Sequence, residues 1–293
     1  MIEISNLVKK YGDHTAVDHL SLVVEPGKIY GFLGPNGAGK STTMNMITGY
    51  LGATSGEIKI NGHDILKEPE EAKKCIGYLP EQPPVYFDMT VLEYMKFVAD
   101  LKKIPKDKKA NMIEEVMDMV KISDMRNRLI KNLSKGYRQR VGLAEAIMGY
   151  PEVIILDEPT VGLDPKQIIE IRELIRKLAK KHTVILSSHI LAEVREVCDY
   201  IMIISGGKLV ASDTTENLEN MMSGKGQIEV EAKASRDEMD HIIRRTGKIK
   251  EVKYRTSASG ITTAQIIAKG GEDIREELFL AFSHADVPML TLN

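Results

Sequence analysis

The stretch YGFLGPNGAGKSTTMNMI, residues 30 to 47, restricts the possible folds of this chain more than any other feature. Gly34, Gly39, Lys40 and Ser41 match the pattern G-x-x-x-x-G-K-[ST], between an apolar run that predicts a strand and a run that predicts a helix. Glycines let backbone N–H groups curl around phosphate oxygens, and the start of a helix adds partial positive charge. A chance glycine-rich turn would not have both flanks, so the stretch predicts a phosphate-binding loop.

Each polar residue of this loop has an expected role. Lys40 neutralises the β- and γ-phosphates of a nucleotide, and Ser41 is a ligand of Mg²⁺. The residues expected to contact the nucleotide are Gly34, Pro35, Asn36, Gly37, Ala38, Gly39, Lys40, Ser41 and Thr42.

The sequence VIILDEP, residues 153 to 159, supplies the acidic groups that a phosphate loop needs. Asp157 follows a buried-strand pattern and is expected to hold the metal ion. Glu158 comes next and is placed to polarise an attacking water as a general base. A lone Asp-Glu pair is often only a polar exit from a strand, but the phosphate loop favours the catalytic interpretation.

Length and composition bound the architecture. A chain of 293 residues with 43% hydrophobic content exceeds one typical domain, so we expect two. With 40 basic and 42 acidic residues, the chain has no general attraction for nucleic acid or an anionic membrane. No signal peptide or membrane-spanning run is evident, and Cys75 and Cys198 lack metal-ligand spacing, which indicates a reduced cytosolic compartment.

The order of strand and helix patterns predicts an α/β fold. Residues 1 to about 80 contain the strand patterns GKIYGFLG, GEIKING and CIGYLP around one helix, at the edge of an α/β sheet. Residues of about 88–150 have helical spacing and predict a helical subdomain. Strands and helices then alternate, which predicts a parallel sheet covered by helices on both faces.

The motif order GPNGAGKST, LSKGYRQR, VIILDEP, GLDP and SSHIL resembles the nucleotide-binding subunit of an ABC transporter over residues 1 to about 220. The resemblance implies a P-loop NTPase (RecA-like) core in a domain of residues 1–222. It implies ATP and Mg²⁺ as ligands, ATP hydrolysis as the activity, and a head-to-tail dimer that holds two MgATP between its subunits.

The resemblance also implies roles outside the phosphate loop. Ser134 and Gly136 of LSKGYRQR stand where the family has the serine and second glycine of LSGGQ, which contact the γ-phosphate held by the other subunit. Lys135 and Tyr137 depart from that pattern, which puts the cross-subunit geometry in question. As a rival interpretation, LSKGYRQR is an ordinary capped start of a basic helix.

Four further positions are assigned by the same resemblance. His189 matches the histidine that contacts the γ-phosphate and positions the water, although a lone histidine at a strand end is usually structural. Asp164 matches the loop that crosses the dimer interface and also suits a helix N-cap. Tyr11 matches the aromatic residue that stacks on adenine. Glu81 stands at the position of the glutamine that touches Mg²⁺, with Gln82 following, so either is a candidate and the spacing favours Glu81.

The resemblance further implies a separate transmembrane permease as partner, with the chain in the cytoplasm, peripheral on the inner face of the cell membrane. The subunits would form a homodimer, or a heterodimer with a related ATPase subunit, in an export-type system. The alternative is a soluble ABC-type ATPase acting on nucleic acid or ribosomes, which lacks support because coiled-coil insertions and a second cassette are absent from this sequence. Methionines at 95, 112, 117, 119 and 125 either pack in the core or line a groove for a permease helix.

Residues 226–293 predict a separate small domain after the linker MMSGKGQ. The strand QIEVEAKA is followed by a helix with the capping box Ser235 and Glu238, two strands, a second helix and a last strand. The order βαββαβ is typical of a ferredoxin-like α+β domain. Six Lys and Arg residues between 244 and 255 suggest a solvated face or an anionic-ligand patch, and no catalytic motif is present, which suggests a regulatory or dimer-stabilising role.

Overall fold

A computed structural model describes residues 1–222, 227–257, 260–269 and 272–293. The chain divides into two compact units, Met1–Thr215 and Glu216–Asn293, which are described separately. The division falls a few residues before the expected boundary at residue 222. Of the expected linker, residues 223 to 226 lie outside the described residues.

The first unit alternates strands and helices as the sequence predicts. Its strands are β1 (Ile2–Tyr11), β2 (His14–Val24), β3 (Ile29–Leu33), β4 (Ser55–Ile60), β5 (His63–Asp64), β6 (Ile76–Leu79), β7 (Val153–Leu156), β8 (Thr183–Ser188), β9 (Tyr200–Ser205) and β10 (Lys208–Thr214). Its helices are α1 (Lys40–Ile47), α2 (Pro69–Lys74), α3 (Val91–Leu101), α4 (Lys106–Met119), α5 (Lys135–Ile147), α6 (Pro165–Ala179) and α7 (Leu191–Val197), and α8 (Thr215–Met222) begins at its end.

A six-stranded sheet with the order β10-β9-β3-β8-β7-β6 forms the centre of this unit. Strands β9, β3, β8, β7 and β6 are parallel, and only β10 runs antiparallel to its neighbour. Every residue of β7 and β8 is buried, as expected for parallel strands covered on both faces. Because β3, β8 and β7 are neighbours, their carboxyl ends bring the segments after Leu33, Ser188 and Leu156 to one edge of the sheet.

A second sheet of this unit was not foreseen. Strands β2, β1, β4 and β5 form an all-antiparallel sheet, so the strand in GEIKING belongs to it and not to the edge of the parallel sheet. Strands β1 and β2 were missed because their pairing has register shifts between Ile4 and Leu7 and between Leu7 and Lys9. These irregularities interrupt the two-residue alternation by which a half-buried strand is recognised.

The predicted helical subdomain is formed by α3, α4 and α5. Helix α3 starts at a capping box in which Thr90 and Glu93 satisfy each other's backbone N–H groups. Met95 and Met117 are fully buried, whereas the methionines at 112, 119 and 125 are half-buried. Core packing therefore accounts for the first two methionines.

Lys102, just after α3, ties that helix to the end of α5. Its ammonium Nζ donates to the carbonyl oxygens of Glu145 at 2.7 Å, Ala146 at 3.2 Å and Met148 at 2.8 Å. These carbonyls belong to the last turn of α5, where intrahelical partners run out. Lys102 as a whole residue is exposed, like Lys103, but its ammonium lies among these carbonyls. Desolvation there lowers the pKa of Lys102 from 10.5 to about 8, and the charge of Glu145 opposes this shift.

Replacing Lys102 by methionine is expected to lower the free energy of unfolding at pH 7 by about 1–3 kcal/mol, because the carbonyls of Ala146 and Met148 lose the ammonium donor. Between pH 8 and 10.5 the unfolded chain binds more protons at Lys102 than the folded chain, so this group's contribution to stability rises with pH. Urea denaturation at pH 7 and 9.5 should show that Lys102→Met loses this increment. Lys103→Met, at an exposed neighbour, is the control, and equal stabilities would contradict the capping role.

The second unit has the predicted βαββαβ order. Its elements are β11 (Gln227–Ala232), α9 (Arg236–Arg244), β12 (Ile249–Thr256), β13 (Thr262–Ala268), α10 (Arg275–His284) and β14 (Met289–Leu292). All neighbouring strands in the order β12-β13-β11-β14 are antiparallel, as in a ferredoxin-like sheet. Ser235 caps α9 by accepting from the backbone N–H of Glu238, and the core contains Val230, Ile242 and Phe282.

Candidate functional site

A cleft of about 520 Å³ lies at the carboxyl edge of the parallel strands. Its walls come from the hairpin of β1 and β2, the loop before α1, and the segments after β6, β7 and β8. The lining residues are Tyr11, His14, Ala16, Asn36, Gly37, Gly39, Lys40, Ser41, Thr42, Glu81, Glu158, Val161 and His189. Most sequence-predicted site residues are therefore brought together by the fold.

The loop before α1 has the backbone that its glycines predicted. Gly39 has a φ of +102°, and a Cβ there would lie 2.5 Å from the carbonyl oxygen of Ala16. Both the left-handed conformation and the close approach require glycine. The backbone N–H of Ala38 donates to the carbonyl of Pro35 at 3.1 Å, which closes the loop, and α1 starts at Lys40. The loop and the first turn of α1 thus form a concave N–H-rich surface.

Lys40 is held inside this loop. Its Nζ donates to the carbonyl oxygens of Gly34 at 2.7 Å and Pro35 at 3.3 Å, and lies 3.7 Å from Oε1 of Glu158. Lys40 is 6% exposed and Glu158 is 7% exposed, so this ion pair is almost fully shielded from water. An uncompensated cation would be costly at this depth, and the neighbouring carboxylate offsets that cost.

Asp157 is at the centre of a hydroxyl network at the end of β7. Its Oδ1 accepts from Oγ of Ser187 at 2.5 Å and from Oγ of Ser41 at 3.3 Å. Burial, with a smaller effect from the charge of Asp157, raises the pKa of Tyr78 above its usual value. Ser187 was not predicted as a site residue from the sequence. Its place near the end of β8, two residues before the predicted site residue His189, was a signal that it lies at the site.

The oxygen atoms of Ser41 and Asp157 fit a hard cation such as Mg²⁺, which prefers oxygen ligands. Across the described ranges, no group of three or more His, Cys, Asp and Glu side chains could hold a metal by itself. This donor set suits an ion that takes one or two protein ligands and completes its shell with phosphate oxygens and water.

Glu158 and His189 form a second pair in the cleft. Nδ1 of His189 lies 3.2 Å and 3.1 Å from the two carboxylate oxygens of Glu158. The backbone N–H of Glu158 donates to Oγ of Ser187 at 2.9 Å, and its φ is +49°, which is uncommon for a non-glycine residue. Ser187 thus orients Asp157 and Glu158 together, and the strained backbone turns the Glu158 carboxylate into the cleft.

Tyr11 is at the other end of the cleft and is half exposed. The ammonium of Lys9 lies 5.2 Å from the centre of its ring, a distance typical of a cation–π contact. His14, which sequence reasoning did not select, pairs with Tyr11 across the β1–β2 hairpin and also lines the cleft. An exposed aromatic ring beside a phosphate loop suits an adenine base.

The two candidates after β6 differ in their position relative to the cleft. Both Glu81 and Gln82 are exposed, but only Glu81 is among the residues that line the cleft.

Ser134, Gly136 and Asp164 do not line this cleft. Ser134 caps α5 by accepting from the backbone N–H of Tyr137, and Asp164 caps α6 by accepting from that of Gln167. Tyr137 and Asp164 instead line a separate cleft of about 450 Å³ beside Arg140, which is buried and paired with Glu170. A single chain therefore does not bring Ser134 and Gly136 to the phosphate loop.

No helix within the described ranges combines the length and apolar character that crossing a bilayer requires.

Comparison with known proteins shows the family of the chain. Residues 17–161 match the family described as "ABC transporter". The chain is 42% identical over 221 residues to the bacitracin transport ATP-binding protein BcrA of Bacillus licheniformis, covering 75% of this chain and 71% of that protein. It is 36% identical over 229 residues to the lantibiotic transport ATP-binding protein SrtF of Streptococcus pyogenes, covering 77% of this chain and 97% of that protein. These relatives give no support to an ATPase acting on nucleic acid or ribosomes.

Solved structures show the same fold. One, an ATP-binding subunit of an ABC transporter, has a TM-score of 0.70 and 28% identity, covering 76% of this chain and 93% of that chain. Another, a dimeric ATP-binding cassette in a post-hydrolysis state with ADP and phosphate, has a TM-score of 0.67 and 26% identity, covering 73% of this chain and 99% of that chain. The fold, the motif order and these relatives together show that the chain belongs to the ABC transporter family as an ATP-binding, ATP-hydrolysing subunit.

Proposed function

We propose that the residues of this cleft bind and hydrolyse MgATP, and that two such subunits use the energy to drive a separate export permease. The observation that carries the proposal is the convergence of Lys40, Glu158 and His189 in one cleft, where the lining residue Ser41 also donates to Asp157. Lys40 and the loop amides bind the phosphates, and Tyr11 stacks on the base. Glu81, which lines the cleft, is the proposed sensor of the metal, with Gln82 as the alternative.

Hydrolysis follows from the placement of Glu158 and His189. The Glu158 carboxylate accepts a proton from the attacking water, and His189 orients that carboxylate and contacts the γ-phosphate. Ser41 and Asp157 would hold Mg²⁺, which would supply positive charge beside the β- and γ-phosphates. Ser187 donates to the Asp157 carboxylate and accepts from the backbone N–H of Glu158, and these two bonds fix the positions of the two acidic residues relative to each other.

A second subunit completes the site in this proposal. Ser134 and Gly136 lie outside the cleft of their own chain, so they reach a γ-phosphate only across an interface between two subunits. The dimeric post-hydrolysis cassette to which this chain is similar supports such an arrangement. The partner is a second copy or a related ATPase subunit, and Asp164 is the proposed contact at the interface.

The permease and its cargo are proposed from the relatives. Their names refer to bacitracin transport, lantibiotic transport and linearmycin resistance, so we propose an antimicrobial compound as the cargo. The chain would be peripheral on the inner face of the membrane through the permease.

Purification of tagged Glu158→Gln chain from native membranes with MgATP, followed by mass spectrometry, tests this function. We expect one multi-span membrane protein in a fixed ratio to the ATPase. Deletion of the genes for the ATPase and this membrane protein should make cells more sensitive to a peptide antibiotic. Recovery of ribosomal proteins or nucleic acid without a membrane protein would contradict it. Omitting MgATP is the control for nucleotide-dependent capture.

The proposed domains are an ATPase domain of residues 1–222 and an accessory domain of residues 226–293 that is regulatory or stabilises the dimer. A chain truncated after residue 222 should bind ATP as the full chain does, because every residue lining the cleft precedes that point. Its dimer lifetime or its coupling to the permease should change, as measured by sedimentation with MgATP. A folded truncated chain that does not bind ATP would show that the boundary is wrong.

A further inference from the structure

Lys135, the first residue of α5, lies across the backbone of the loop that follows Glu158. A Cβ at Gly162 would be 2.2 Å from Nζ of Lys135 and 3.0 Å and 3.1 Å from its Cε and Cδ atoms. The lysine side chain therefore lies where a Cβ at position 162 would stand and would have to move to admit one. Gly162 also has a φ of +72°, and this backbone conformation is what favours glycine there.

The next residue of α5 makes a second contact with the same region. A Cβ at Gly136 would be 2.3 Å from Oε1 and 2.7 Å from Cδ of Gln167. Gln167 is fixed in turn, because its backbone N–H donates to Oδ1 of the N-cap residue Asp164 at 2.9 Å. Two consecutive residues of α5 thus pack against the segment between Gly162 and Gln167.

The opposite side of the loop is held from α7. Thr160 donates its hydroxyl to Oε2 of Glu193 at 2.6 Å, and Ser188 reaches the same oxygen at 3.4 Å. The loop from Glu158 to Asp164 is therefore clamped between the start of α5 and the segment that carries His189. Glu158 is the first residue of this loop and has a φ of +49°. A non-glycine residue keeps such a backbone conformation only where its surroundings hold it, so the direction of the Glu158 carboxylate depends on the loop.

We propose that Lys135 is a positioning residue for ATP hydrolysis, whose aliphatic stem holds Gly162 and thereby orients the carboxylate of Glu158. This inference rests on the proposed role of Glu158. The methylene groups of Lys135, and not its charge, are inferred to hold the loop. Among the described residues Lys135 forms no ion pair, its charge is exposed to solvent, and its Cδ and Cε lie against Gly162. Lys135 thus connects the helical subdomain to the water-activating group within one chain.

Steady-state ATPase assays on two variants test the inference. Lys135→Gly removes the stem and should lower kcat about tenfold while KM for ATP stays within about twofold, because small misplacements of a catalytic group cost rate more than binding. Lys135→Met keeps a stem of similar length without the charge and should retain about half of kcat or more. Unchanged kcat in Lys135→Gly would overturn the inference, and so would an equal loss in Lys135→Met.

A double-mutant cycle tests the contact itself. Gly162→Ala should lower kcat, and in the Lys135→Gly background the same change should cost clearly less, because the collision with the lysine is gone. Gly62→Ala is the matched control, since Gly62 has a φ of +87° but open space around its Cβ position. Independent, multiplicative effects of Lys135→Gly and Gly162→Ala would overturn the inference.

The inference and the proposed function fail in different ways. Full turnover by Glu158→Gln would remove the proposed catalytic base and with it the basis of the inference. If Glu158→Gln is inactive while Lys135→Gly matches the unmodified chain in kcat, only the positioning role of Lys135 is lost.

Discussion

Replacing Glu158 by glutamine is expected to reduce ATP turnover about 10²–10⁴-fold while ATP binding persists, because the amide cannot accept a proton from water. The side chain keeps its size in a position that is only 7% exposed, and Lys40 keeps its bonds to the carbonyls of Gly34 and Pro35. The backbone of the phosphate loop should therefore be preserved, and in the complex the phosphates of ATP offset the buried Lys40 charge that Glu158 no longer pairs. Phosphate release and binding of a fluorescent ATP analogue measure the two effects separately.

The same substitution at the other end of β7 provides a control. Glu152 is exposed and lies outside the nucleotide cleft, so Glu152→Gln should turn over ATP at the unmodified rate. Sedimentation of Glu158→Gln with MgATP should show a dimer that persists, since hydrolysis no longer ends the closed state. Turnover of Glu158→Gln at the rate of Glu152→Gln would refute the assignment of the general base.

Replacing Lys40 by alanine is expected to weaken ATP binding by about 2–3 kcal/mol, which is roughly 30- to 150-fold in Kd, because charged hydrogen bonds to phosphate are lost. The effect should be large because Lys40 is buried, where charge interactions are poorly screened. Loss of its bonds to two loop carbonyls should also loosen the phosphate loop. Titration calorimetry with MgATP measures the affinity.

Lys74→Ala is the matched control, because Lys74 is exposed and pairs with Glu71 at the surface, outside the cleft. Its Kd for ATP should equal that of the unmodified chain. An unchanged Kd in Lys40→Ala would show that the ammonium does not contact phosphate. The two substitutions should therefore have separate effects, with Glu158→Gln losing turnover rate and Lys40→Ala losing affinity for ATP.

Short motifs predicted much of the candidate site. The phosphate loop, the Asp157–Glu158 pair and His189 were each recognisable from a few adjacent residues and their flanks, and the fold brings them together. Ser187 was not recognisable as a site residue, because its role comes from hydrogen bonds to residues about thirty positions earlier. The spacing already favoured Glu81 over Gln82, and the fold adds that Glu81 lines the cleft.

The amino-acid sequence by itself determined the local chemistry and the order of elements. Glycines, capping residues and apolar periodicity act over a few residues, so the phosphate loop, the helical subdomain and the βαββαβ order of the second unit followed from them. Only the tertiary structure decided the separate antiparallel sheet, the neighbouring positions of β3, β8 and β7, and the packing of Lys135 on Gly162. These features depend on strand order and on contacts between distant segments, which the packing of the whole unit selects and no local pattern records.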